Sequence, residues 1–423
     1  MKTTRLIILS VFAILVWTSL ALYGGLSGWW LTPVAKSEDV DQYYDAMRNL
    51  IDTGNKEDIA MVLIEEGEVV RAYFSGIENQ IDGDTLFPTA SLSKWITAYS
   101  IMMLVEDQRV DLDAPISEYL TRWRLPKSAF NNESVTLRQL LSHTSGLGDG
   151  LGFDDFQTNE PLPSLVESLK KPRSSSGEKV DIVLDAEPGL NWAYSGGGYL
   201  ILQLIIEEVS QQSYSSFVSE RVFTPLKMSR SNFEYIGDYE NRTEFYDNES
   251  TKTPLLKYQA SAATGLSSTT NDLIRFVHAN TPSTAKSNAL PDELVKQMQH
   301  PTGHKLGADI WGLGVMLYAP TGRNNYVFGH DGGNEPAINS TVRINPNNDD
   351  ALIVLVSGNS TLASTIGYHW VLWQTDQPDF LSFQVALGSA LVPIFIGSGI
   401  IIVLITLVRL SKRKRTLVGN LIG

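Results

Sequence analysis

Hydrophobic and polar positions divide the chain into three parts. Leu6 to Ala35 carries no charged side chain, and neither does Phe380 to Val408. A helix of about 20 apolar residues crosses the hydrocarbon core of a bilayer. The pattern therefore predicts a transmembrane helix at 380–408 and an N-terminal membrane anchor or signal segment at 1–35. The N-terminal segment admits both readings. Its most apolar part, Leu6–Leu22, is longer than the usual core of a cleaved signal peptide, yet Ser19-Leu20-Ala21 has the small-Xaa-small form of a cleavage site.

The middle of the chain has the shorter periods of a folded region. Asp39–Asp52 reads as an amphipathic helix. Ile59–Ile64 and Val69–Phe74 are apolar, β-branched runs separated by Glu65-Glu66-Gly67-Glu68, and predict a β-hairpin. Leu92–Val105 predicts a helix with a strongly apolar face. Helical and loop segments dominate from Ala114 to about Asn280, with turn-rich stretches at Gly146–Gly152 and Pro172–Gly177. Strand character returns at Gly314–Tyr318, Tyr326–Gly329, Ala337–Ile344 and Ala351–Val356, before a last helix at Leu362–Gln374. Strands at both ends with helices between them imply one sheet built from both ends of the chain, with a largely helical lobe inserted. The expected architecture is α+β, over one domain at 36–376, with a cleft between the lobes.

Charge adds a direction. Residues 1–35 and 380–423 hold no acid and seven bases: Lys2, Arg5, Arg409, Lys412, Arg413, Lys414 and Arg415. By the positive-inside rule both short tails are cytoplasmic, including the basic tail 409–423, and the domain between them lies outside. All 47 acids fall in that middle part, against 26 of the chain's 33 bases, which argues against a nucleic-acid partner.

Several chemistries lose their signatures. The chain has no cysteine, so disulfides, thiolate metal sites and cysteine nucleophiles are excluded. There is no Gly-Xaa-Ser-Xaa-Gly elbow, no His-Glu-Xaa-Xaa-His and no phosphate-binding glycine loop. No metal or other cofactor is expected. Ser91-Leu92-Ser93-Lys94 remains. A serine and a lysine three apart share one helix face, and a buried lysine of lowered pKa can take the serine proton. The same spacing also begins at Ser168, Ser176, Ser283 and Ser411. Only Ser91 follows a strand-and-turn region, Phe87-Pro88-Thr89, and opens a long apolar helix.

Two further stretches attract notice. Tyr194-Ser195-Gly196 lies in a glycine-rich turn before a helix at Gly198–Ser210. Gly329-His330-Asp331-Gly332-Gly333 closes the strand at Tyr326–Phe328. Taken singly, each has a plain structural reading, as a buried tyrosine and a hydrogen-bonding histidine. The two glycines after His330 would let a substrate lie close to the backbone and expose an N–H.

In this order the three stretches resemble the motifs of the serine β-lactamase and penicillin-binding protein superfamily, in its class C β-lactamase-like branch: Ser-Xaa-Xaa-Lys, Tyr-Xaa-Asn, and Lys-Thr-Gly or His-Xaa-Gly. Phe87–Ala90, Leu137–Leu147, Thr264–Ser268 with Asp272, and Trp311–Gly314 are also similar, and the resemblance runs from about residue 40 to 375. It implies a β-lactamase/transpeptidase-like fold, an antiparallel sheet flanked by helices. It also implies that Ser91 is acylated and that Lys94 and Tyr194 move its proton, the lysine charge lowering the tyrosine pKa. The N–H groups of Ser91 and Gly333 would form the oxyanion hole, Gly332 and Gly196 would border the substrate, and His330 would hold the substrate or tune Tyr194.

Two departures bear on specificity. Gly196 stands where the family usually has asparagine, and His330 where many members have a lysine that helps bind a carboxylate. Both move the expectation from β-lactamase toward an esterase, a D-amino-acid amidase or a peptidase. The function expected is thus a membrane-bound, extracytoplasmic serine hydrolase working through an acyl-enzyme on an ester, amide or peptide. Its partners would be the lipid bilayer and a small-molecule or peptide substrate, cell-wall material included. The alternatives are a β-lactamase or DD-carboxypeptidase, and a catalytically weak envelope-binding protein of the same fold.

Overall fold

The computed structural model describes residues 2–36, 39–53, 57–150, 155–172, 180–281, 289–322 and 324–422. They divide into two compact units, Val34–Thr375 and Met1–Pro33 with Asp376–Gly423.

The larger unit has ten strands among the described residues: β1 (Asp58–Glu65), β2 (Glu68–Ser75), β3 (Phe87–Pro88), β4 (Ser267–Ser268), β5 (Gly303–Lys305), β6 (Ala308–Trp311), β7 (Met316–Gly322), β8 (Asn325–Asn334), β9 (Ile338–Asn345) and β10 (Asp350–Ser357). Eight form one antiparallel sheet in the order β2-β1-β10-β9-β8-β7-β6-β5. The first strand thus pairs with the last, with Asp58 opposite Ser357 and Ile64 opposite Ala351. β1 and β10 are buried along almost their whole length, which explains their unbroken apolar sequence. β2 lies at the edge and is mostly exposed or half-buried. The predicted hairpin is present. Glu66 and Gly67 both have positive φ (49° and 80°), the geometry of the tight turn whose twist matches its strands.

Helices cover both faces. Alternate β10 residues Ala351, Ile353 and Leu355 join a large core with Trp95 and Phe276. The helix Leu362–Thr375 packs on β9 and β10, and the helix Val40–Asp52 packs on it through Tyr43, whose ring stacks on Trp373 at 4.8 Å. The short β3–β4 pair ties together the two points where the chain enters and leaves the helical lobe.

Within that lobe the helix Ser93–Glu106 differs from expectation. Every side chain from Ser93 to Leu104 is buried, so no single face is apolar and the helix runs through the core. It packs against the helix Gly196–Ser210 and the turn of helix Ser261–Thr264. Each large apolar side chain fully buried here stabilises the fold by about 1.5–3 kcal/mol. That fixes the backbone of Ser91, just before its first turn.

Other boundaries also changed. β8 continues through His330–Gly333 to Asn334, so the third motif lies inside a strand and does not follow one. β3 is the strand of the strand-and-turn region read before Ser91; β4, β5 and β6 were not foreseen. The helix after the Tyr194 turn begins at Gly196, two residues earlier than expected.

The smaller unit contains the helix Lys2–Leu26 and two helices, Phe383–Ser389 and Leu391–Ile422. Two stretches, Ile7–Leu26 and Phe383–Ser411, are long and apolar enough to cross a membrane. The C-terminal stretch is not one unbroken helix. Pro393 has no N–H and is tolerated only in a first helical turn, and the helix restarts two residues before it. Trp17 donates through its indole Nε1 to the carbonyl oxygen of Pro393 at 2.9 Å.

Candidate active site

The first motif is set on a strained turn. Ala90 has a left-handed backbone (φ 48°) immediately before Ser91, a conformation that non-glycine residues adopt at a cost. Surrounding bonds hold it. Thr89 N donates to Leu266 O at 2.9 Å, Ser93 Oγ donates to Ala90 O at 2.6 Å, and Ser340 Oγ donates to Thr89 O at 2.7 Å. Strand β9 is wholly buried yet carries Asn339, Ser340, Thr341 and Arg343, because it braces this turn and the third motif.

Ser91 Oγ receives two hydrogen bonds. Lys94 Nζ donates at 3.2 Å and the Tyr194 hydroxyl at 3.1 Å. Lys94 is 1% exposed, and its ammonium also donates to Ala263 O at 2.9 Å. Burial lowers the Lys94 pKa to about 7, and the Asp149 carboxylate partly opposes that. A neutral amine keeps two N–H groups and one lone pair. One N–H can stay on Ala263 while the lone pair faces the serine hydroxyl.

Tyr194 differs from expectation. Burial raises its pKa, and the bond to Ser91 only partly counters this. Lys94 Nζ lies 4.8 Å from the centre of the Tyr194 ring, over its face. The phenol is therefore a proton donor at neutral pH, not a tyrosinate.

His330 is fully buried. Its Nδ1 lies 2.6 Å from Asp331 O, a carbonyl that can only accept, so Nδ1 carries the proton. Its Nε2 is buried with no hydrogen-bond partner among the described residues. Burial, then the nearby Lys94 charge, lowers its pKa to about 3. His330 is thus neutral and cannot act as a cation for a carboxylate.

Gly332 of the third motif meets the Ser91 turn through backbone. A Cβ on Gly332 would lie 2.1 Å from Thr89 O and 3.0 Å from Ser91 N, so only glycine lets β8 pass this close. β7 pairs with β8 no further than Gly329, which leaves His330–Asn334 with one edge outside that ladder. The N–H of Asp331 points to that side, toward Met316 Sδ at 3.3 Å. Strand geometry turns the N–H of Gly333, two residues on, the same way.

The structure brings Ser91, Lys94 and Tyr194 together and packs Gly332 against the backbone of Ser91. Gly196 lies at the first turn of its helix, with its N–H on Gly150 O at 2.7 Å. Two residues of the site were not singled out from sequence. His143 and Asp149 come from the segment after Leu137–Leu141 and touch the turn that carries Tyr194. Asp149 Oδ1 accepts from Ser195 Oγ at 2.5 Å, and Oδ2 accepts from Gly197 N at 2.7 Å. The only available signal was the position of His143 inside a stretch similar to the superfamily. Asp149, between two glycines, reads as part of a turn.

Comparison with known proteins establishes the family and the fold. The family model described as Beta-lactamase matches residues 45–377. The chain belongs to the beta-lactamase family. Among curated relatives, it is 29% identical to Penicillin-binding protein 4* of Bacillus subtilis (strain 168) over 221 residues, 46% of this chain and 45% of that protein. It is 22% identical to Protein flp of Staphylococcus aureus (strain N315) over 293 residues, 67% of this chain and 55% of that protein. The chain thus spans about half the length of these relatives. Among solved structures, the octameric penicillin-binding protein homologue from Pyrococcus abyssi aligns with a TM-score of 0.64 at 22% identity, covering 80% of this chain and 78% of that one. The D-amino acid amidase from Ochrobactrum anthropi SV3 aligns with a TM-score of 0.58 at 22% identity, covering 77% and 96%. Such likeness establishes the serine β-lactamase/transpeptidase fold.

Proposed function

We propose that this protein is a serine hydrolase that forms an acyl-enzyme at Ser91. The observation that carries the reading is the double hydrogen bond to Ser91 Oγ, from a buried lysine and a buried phenol. Neutral Lys94 takes the serine proton as Oγ attacks the carbonyl carbon. Tyr194, still protonated, gives a proton to the leaving group and is resupplied from Lys94. The N–H groups of Ser91 and Gly333 stabilise the oxyanion. Water then attacks the acyl-enzyme by the reverse proton path.

The substrate we propose is an ester, an amide or a peptide. A neutral His330 and a glycine at 196 support a substrate that needs neither a cation for its carboxylate nor a side-chain amide for recognition. The amidase among the structural neighbours is named for an amide substrate, and another neighbour is described as a beta-lactamase/D-alanine carboxypeptidase, which supports keeping amides and peptides in the range. We place the work at a membrane. The two apolar helices, with basic residues beyond each, support cytoplasmic tails and a catalytic unit outside.

The test is labelling of the full-length chain in detergent with a fluorophosphonate. Wild type should be labelled and Ser91→Ala should not. Equal labelling of both would remove Ser91 as the nucleophile. A panel of short acyl esters, D-amino-acid amides, D-alanyl-D-alanine peptides and a chromogenic cephalosporin then assigns the substrate class.

A further inference from the structure

Tyr194 stands on a turn that its own residues hold weakly, with Gly198 N donating to Ser195 Oγ at 2.8 Å. Three glycines follow, Gly196 to Gly198, which offer no side chain and lose the most conformational freedom on folding. The turn is instead held from outside, at four N–H groups and one hydroxyl. Ala193 N donates to His143 O at 2.8 Å, and Ser195 N donates to His143 Nδ1 at 3.1 Å. Gly196 N donates to Gly150 O, Gly197 N to Asp149 Oδ2, and Ser195 Oγ to Asp149 Oδ1. All the acceptors belong to residues 143–150.

His143 and Asp149 accept two of these bonds each, and His143 alone also lays a ring against Tyr194. It takes a left-handed backbone (φ 58°), which turns both its carbonyl and its ring toward the Tyr194 turn. Its ring lies against that of Tyr194, with centres 4.3 Å apart at 32°, and the Trp311 ring packs against it at 4.7 Å. Because Nδ1 accepts, Nε2 bears the proton, and Nε2 is buried with no hydrogen-bond partner among the described residues. A histidine kept only for packing usually satisfies both ring nitrogens. Here a strained backbone and an unpaired N–H are both tolerated. What they secure is the position of the residue between them.

We propose that His143 is a positioning residue for Tyr194: its Nδ1 fixes the backbone after the tyrosine, and its ring fixes the plane of the phenol over Ser91. The inference rests on the acyl-enzyme reading above.

Two variants separate the halves of this role. His143→Phe keeps a ring and loses the acceptor. His143→Asn keeps an acceptor oxygen close to the place of Nδ1 and loses the ring. The readout is fluorophosphonate labelling of Ser91 in the full-length chain, resolved into a maximal rate and a half-saturating concentration. The Phe variant should label about 100-fold more slowly at saturation, the loss typical of a group displaced by about 1 Å. Its half-saturating concentration should stay within roughly threefold of wild type. The Asn variant should recover at least about a tenth of the wild-type rate. Both should melt within a few degrees of wild type.

Wild-type rates in His143→Phe, with Ser91→Ala unlabelled, would overturn the role of His143 and leave Ser91 as nucleophile. Loss of rate in step with loss of the folded state, in both variants, would also overturn it, by making His143 a folding residue. No labelling of the wild type would overturn this inference and the acyl-enzyme reading together.

Discussion

At the scale of single residues, the proposed proton transfer is divided between two groups shifted in opposite senses. Burial lowers Lys94 to about 7 and raises Tyr194. Only neutral Lys94 can accept the serine proton. The rate of acylation should therefore be low where Lys94 is charged and rise with pH through about 7. A pH profile of labelling would measure this. A limb near the ordinary lysine value of about 10.4 would show that burial does not lower Lys94. Gly332 carries a second expectation. Its missing Cβ leaves room for Thr89 O, 2.1 Å from where it would lie, so Gly332→Ala must push β8 from the nucleophile. Labelling should fall by about 100-fold, while the melting temperature changes little.

Among elements, β8 and β9 show what the sequence could and could not disclose. β1 and β10 were legible because a strand buried on both faces must be apolar throughout. β8 was read as ending at Phe328 because His330-Asp331-Gly332-Gly333 has the composition of a turn. The strand continues because Asp331 is stitched into the sheet. Its carboxylate accepts from Arg343 Nη2 at 2.8 Å, Tyr318 Oη at 2.8 Å and Thr341 Oγ1 at 2.5 Å. Such partners come from other strands and leave no local pattern. The same holds for His143 and Asp149, whose value depends on a turn some 50 residues away in sequence. Ser91 and Lys94 stood out by their place between a strand-and-turn region and a long apolar helix, and Tyr194 only by its place in the ordered motifs.

The Asp331 network also predicts a cost. Burial raises this carboxyl, but Arg343, Thr341 and Tyr318 outweigh burial and hold it below its ordinary range. Its contribution is present at neutral pH and is lost as pH falls below the unfolded carboxylate value. Asp331→Ala removes the carboxylate facing Arg343, which is fully buried. Loss of one partner from a buried pair costs roughly 3–5 kcal/mol, to be read from urea unfolding at pH 7. The difference from wild type should shrink in acid.

For the whole molecule, the strongest expectation concerns sidedness. Five bases follow the C-terminal apolar stretch, so a reporter fused after Arg415 should be active only if it works in the cytoplasm. Activity of a reporter that needs export would place that tail on the other side. Trp17 and Pro393 add a finer test within the smaller unit. Trp17→Phe removes the indole N–H donor and should weaken pairing of the two apolar helices by about 1 kcal/mol. Engineered cysteines can report this without background, since the chain has none of its own.

The pairing of β1 with β10 has a consequence in time. Asp58 meets Ser357 across the ladder, so a ribosome must make nearly 300 residues between the two partners. Until β10 arrives, β1 and β2 form a hairpin without a sheet, and the helix behind Ser91 has no completed core. A nascent chain stopped anywhere before β8 also lacks His330–Gly333. The proposed activity should therefore be silent through most of synthesis and appear in one late step. Chains arrested after β7 and after β10 would show when that step occurs.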